Sequence, residues 1–170
     1  MPTLHVCPLS RLEDTVLQTR ATHLVTLVSV GTPMARPAAI AEDRHLALYF
    51  SDIVEPLDGH VLPGVEHVER LLAFVRRWER DAPMVIHCWA GISRSTAGAF
   101  AAACALAPER DEAAIARALR AASPMATPNR RLVAVADDML GRNGRMVDAI
   151  AAIGRGADAY EGRPFTLSLG

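Results

Sequence analysis

The chain has 170 residues, 51% of them apolar, enough for a single domain with a substantial core. A formal net charge of −1 excludes a strong field directed at nucleic acid or an anionic membrane surface. All 18 basic residues are arginine; with the abundant alanine this reads as GC-rich, bacterial coding and makes every permanent side-chain cation a guanidinium.

Cys7, Cys88 and Cys104 are an odd number without framework spacing, so a reducing, cytoplasmic compartment is expected. Residues 1–5 lack the basic and apolar regions of a signal peptide, and the longest apolar run, 97–107, is too short to span a bilayer. The six histidines are scattered without ligand spacing, so neither a metal nor another cofactor is expected.

Taken in order, residues 4–7 form a strand candidate ended by Pro8. Residues 10–19 read as a helix, with Ser10 as cap and Glu13 completing a capping box. Residues 23–30 are β-branched and almost continuously apolar, as in a strand covered on both faces. A loop with two prolines leads to a third strand, 44–50, and then to an acidic loop, 51–62. Residues 65–80 make an amphipathic helix with Val65, Val68, Leu71, Leu72, Val75 and Trp78 along one stripe. Met84 to His87 is the central strand. Helices follow at about 95–106, 109–121, 127–141 and 144–153, the third opened by Thr127 as cap and Pro128 as first helical residue. These elements predict an α/β fold with a mostly parallel central sheet flanked by helices and a helical C-terminal half. The expected division is one domain over residues 1–153 and a loose tail over 154–170.

The chemistry gathers in residues 84–100, where a strand, a short polar turn and a helix start follow one another. Backbone N–H groups at a helix start have no intrahelical partner and face the positive end of the dipole, so such a junction suits an anion. Cys88 stands at its entry and Arg94 at its exit, where a guanidinium can fork two hydrogen bonds onto a phosphate, sulfate or arsenate. The same field favours the thiolate of Cys88, the nucleophilic form. Two carboxylates, Asp52 just past the third strand and 36 residues before Cys88 and Asp58 in the same loop, lie toward the same edge of the sheet.

His87-Cys88-x5-Arg94-Ser95, with Gly91 inside the loop, resembles the signature loop of the cysteine-dependent protein tyrosine and dual-specificity phosphatases. Pro128-Asn129, opening a late helix, is a second similarity. The resemblance is specific over about residues 46–140. It implies a protein tyrosine phosphatase-like fold and a phosphate monoester hydrolase acting on a phosphorylated protein, with phosphotyrosine favoured, or on a small phosphate ester. It further implies Cys88 as nucleophile, with Arg94 and the amides of Trp89, Ala90, Gly91, Ile92 and Ser93 around the phosphate. Asp52 would be general acid and then base, with Asp58 in the same loop as the competing candidate. Ser95 would hydrogen-bond the sulfur as it leaves, and His87 would orient the loop and support the thiolate by hydrogen bonding. The low-molecular-weight phosphatases carry this loop near the N-terminus, whereas Cys88 is mid-chain. Two alternatives stay open: a phosphate-binding module without turnover, and a rhodanese-like sulfurtransferase. An oxidised Cys88 trapped by Cys7 or Cys104 is also open, as is the oligomeric state.

Overall fold

A computed structural model describes residues 2–170. Its strands are β1 (Thr3–Pro8), β2 (His23–Val28), β3 (His45–Tyr49), β4 (Met84–Cys88) and β5 (Phe165–Ser168). They form one sheet in the order β3-β2-β4-β1-β5, with β1, β2, β3 and β4 parallel and β5 antiparallel to β1 at the edge. Every residue of β2 and β4 is buried, which is why both segments read as nearly unbroken apolar runs rather than as alternation.

The helices are α1 (Leu12–Thr19), α2 (Val65–Arg77), α3 (Arg94–Leu106), α4 (Glu112–Ala122), α5 (Arg130–Met139) and α6 (Arg145–Ile153). Strand pleating divides the core in two. Leu4, Val6, Met84, Ile86 and Cys88 face the side covered by α2 to α6. Cys7, Leu24 and Val85 face α1 and Ile40. The helix α3 runs against the sheet at close range because Gly98 has no side chain; a Cβ there would lie 2.8 Å from Leu27 Cδ1. Among the described residues no helix is long and apolar enough to cross a membrane.

Several expectations need correction. Helix α1 starts at Leu12 after a 3-10 turn, and no side chain caps it: Ser10 Oγ instead donates to Glu161, 151 residues away. Val65, expected on the buried stripe of α2, is 58% exposed, and the helix ends at Arg77 with Trp78 buried beyond it. The cap of α5 is Asn129, whose side chain accepts from Leu132 N; Thr127 instead serves the chain behind it by accepting from Gly156 N. The segment expected as a loose tail contains β5, because Phe165 to Ser168 satisfy the open edge of β1.

The helical half is held by a buried charge cluster. Glu112 of α4 accepts from Arg142 at 2.8 Å and from Arg145 at 3.2 Å, while Arg142 also donates to Cys104 O at the end of α3. Burial alone would raise the Glu112 carboxyl, but the hydrogen bonds from Arg142, its own backbone and Arg145 together hold it below its ordinary value. Arg142→Met should therefore lower stability by about 3 kcal/mol, since a buried carboxylate loses its main partner. Urea unfolding of the two proteins checks this.

Candidate active site

The parallel strands bring their carboxyl ends to one edge of the sheet, and the predicted site assembles there. Strand β4 ends at Cys88 and β2 at Val28, while β3 ends at Tyr49 with Phe50, Ser51 and Asp52 beyond it. Residues 89–93 make the loop between β4 and α3. Its carbonyls are engaged from outside. Leu9 N donates to Trp89 O, Gly162 N to Ala90 O, Thr127 N to Ile92 O and Asn129 N to Ser93 O, at 2.7–3.1 Å. Among the described residues there is no cis peptide bond. In a trans peptide the next N–H points opposite the carbonyl, so the amides of Ala90, Gly91, Ser93 and Arg94 turn inward. Gly91 N reaches Cys88 Sγ at 3.2 Å, as this geometry requires.

Gly91 is needed there twice over. Its φ of +69° is left-handed, and a Cβ would lie 2.7 Å from Pro8 N and 2.8 Å from the carbonyl carbon of Cys7. Cys88, 2% exposed, holds its sulfur at the floor of the loop, 3.1 Å from Ser95 Oγ. Arg94, 7% exposed, uses Nη1 to grip Ser29 Oγ and Phe50 O, both at 3.0 Å, just past β2 and β3. Its Nε is buried and has no partner.

Asp52 lies against this loop. Its Oδ1 accepts from Ser93 Oγ at 2.7 Å and from Asn129 Nδ2 at 2.8 Å. The same Asn129 amide donates to Ile53 O, and Arg131 Nε donates to Pro63 O, so α5 holds both ends of the acidic loop. Ser51 closes that loop through its N–H on Val61 O and its hydroxyl against His60 Nδ1. Asp58 is exposed in the turn around His60 and is not joined to the Cys88 loop by any hydrogen bond among the described residues.

The expectation for His87 is that it orients the loop and supports the thiolate by hydrogen bonding. Fully buried on the α1 face of the sheet, it meets Thr26 Oγ1 at 2.8 Å, and that hydroxyl meets His45 Nε2 at 2.8 Å. Residues i and i+1 of a strand face opposite ways, so the His87 ring does not reach the Cys88 sulfur. Burial pushes its pKa down to about 4, leaving a neutral ring that braces β2 and β4. The residues missed in the sequence are Ser29, Phe50, Thr26 and, in its contact with Asp52, Asn129. Only Asn129 carried a signal, through the Pro128-Asn129 pair.

Two measurements follow. The unfolded chain takes up a proton at His87 near pH 6.5 and the folded chain only near 4, so stability falls as pH drops through that window. The contribution of His87 to that loss should be about 3 kcal/mol, so the loss should be smaller by that amount in His87→Gln, as read from urea unfolding at pH 7.5 and pH 4. Gly91→Ala should remain folded by thermal melting yet lose about tenfold or more in affinity for orthovanadate, because the loop must open to admit the methyl group.

Residues 58–130 match the protein-tyrosine phosphatase family model. That stretch holds Cys88 and Arg94 and begins after Asp52. No protein in a search of curated sequences matches the chain significantly. Among solved structures, the crystal structure of DUSP15 superposes with a TM-score of 0.66 at 18% identity, covering 90% of this chain and 91% of that one. A mouse putative dual specificity phosphatase complexed with zinc tungstate gives 0.61 at 19% identity, with 86% of each chain covered. Human DUSP28 gives 0.60 at 18%, covering 82% of this chain and 94% of that one. The sequence match around the Cys88 loop and the fold shared over most of the chain make it similar to the cysteine-dependent protein tyrosine and dual-specificity phosphatases.

Proposed function

We propose that the protein hydrolyses phosphate monoesters through a cysteinyl-phosphate intermediate, with phosphotyrosine on a protein as the favoured substrate. The observation that carries this is the set of donors gathered around one sulfur: inward-turned loop amides, with Gly91 N already on Cys88 Sγ, and a buried guanidinium N–H without a partner. Orphaned donors at that density want an anion.

In the first step the Cys88 thiolate attacks phosphorus, an S–P bond forms and the ester P–O bond breaks. Arg94 Nε and the loop amides hold the equatorial oxygens, which gather charge as the bonds rearrange. The leaving oxygen takes a proton from Asp52. Two donors fix Oδ1, which leaves Oδ2 to carry that proton. In the second step Asp52 accepts a proton from water as its oxygen attacks phosphorus. The S–P bond breaks, and Ser95 Oγ, 3.1 Å from the sulfur, donates to the departing thiolate. Ser93 and Asn129 serve as positioning residues for the acid.

Steady-state hydrolysis of an aryl phosphate in the presence of a chelator tests the assignment. The parent should turn over, Cys88→Ser should be inactive, and Asp52→Asn should be slowed by about two decades or more. Asp58→Asn should stay close to the parent. An unimpaired Asp52→Asn with an impaired Asp58→Asn would move the acid to Asp58. A parent that binds vanadate but turns over no phosphate ester would be a phosphate-binding module.

A further inference from the structure

The segment from Gly154 to Gly162 lies outside the stretch that matches the family and is built onto the site at several points. Arg120 Nη2 donates to Gly154 O at 2.8 Å, Gly156 N to Thr127 Oγ1 at 3.1 Å, Ala157 N to Pro124 O at 2.9 Å and Gly162 N to Ala90 O at 2.7 Å. Two glycines allow this approach. A Cβ on Gly156 would lie 2.6 Å from Ala126 O, and one on Gly162 would lie 2.9 Å from Gly91 O. The segment is therefore fastened both to the loop before α5 and to the Cys88 loop itself.

Between the last two anchors, Tyr160 stands 89% exposed. It lines a cleft of about 540 Å³ together with Asp52, Ile92, Ser93 and Asp158. Asp52 borders this cleft and a second of the same volume lined by Ile53, Val54 and Asn129; a leaving group protonated by Asp52 that enters the first meets Tyr160. Arg155, which also lines the cleft, is paired with Asp158 at 2.7 Å, and that charge is already answered. What the wall offers a leaving group is an exposed aromatic ring on a backbone segment anchored on both sides. An aryl leaving group gains an offset-stacked contact there; a serine or threonine side chain presents no ring to stack.

We propose that Tyr160 is a specificity-determining residue whose ring packs against an aromatic leaving group, so that the C-terminal segment sets a preference for aryl over alkyl phosphate esters. The inference rests on the phosphatase reading above and deepens it. The test compares kcat/KM for a phosphotyrosyl peptide with that for the same peptide carrying phosphothreonine, in the parent, Tyr160→Ala and Tyr160→Phe. The aryl-to-alkyl ratio should fall about three- to tenfold in Tyr160→Ala, chiefly through KM for the aryl peptide, and return in Tyr160→Phe, which keeps the ring. A ratio unchanged in Tyr160→Ala overturns the inference while leaving the phosphatase reading intact. So does an equal loss on both peptides, which is what a structural role would give. A parent inactive on both peptides and on small aryl phosphates overturns both.

Discussion

Four hydrogen bonds that point away from the site make the site possible. A loop of five residues between a strand and a helix has no reason of its own to turn its amides to one centre. It does so here because Leu9, Gly162, Thr127 and Asn129 draw the carbonyls outward, and planar peptides send the N–H groups the other way. The donors come from separate regions: the exit of β1, the approach to β5 and the entrance of α5. The loop conformation is thus a property of the whole fold, and the unspent donors are paid for by bonds made elsewhere.

Arg94 extends the same logic across the sheet. One of its nitrogens is tied to the chain just past β2 and β3, so the guanidinium is oriented before any ligand arrives and loses little freedom on binding. Asp52 lies two residues beyond Phe50, whose carbonyl Arg94 grips, and Asn129 ties that carboxylate to the segment that also pins Ser93 O. Arg94, Asp52 and Cys88 therefore share one rigid frame, with the strand order β3-β2-β4 setting their spacing.

The strand-loop-helix around Cys88 was legible in the sequence because its residues are consecutive: apolar run, Gly91, Arg94 and Ser95 all report within twelve positions. Asp52 was legible by its place after a strand. What could not be read was whatever depended on distant partners. Ser10 has the form of a cap, yet its hydroxyl goes to Glu161. Thr127 also looks like a cap, but a glycine from the C-terminal segment takes its oxygen. That segment, with glycines and a proline, had the composition of a loose tail. Gly156 and Gly162 are there for close backbone approach, and composition does not distinguish that use from flexibility.

The same frame decides which thiol faces the loop. Cys7 is one register step from Cys88 on the neighbouring strand, opposite His87, so strand pleating sends its side chain to the α1 face while Cys88 faces the helical half. A disulfide needs Cβ atoms that approach within about 4.5 Å, and side chains on opposite faces of a sheet do not meet that condition. Cys104 is ten residues into α3 from Arg94, about 15 Å along the axis from the helix start. Burial pushes both spare thiols up to about 12, which holds them as unreactive packing groups. Neither is placed to trap an oxidised Cys88, so the sulfur at the loop floor has only Ser95 and Gly91 as its hydrogen-bond neighbours among the described residues.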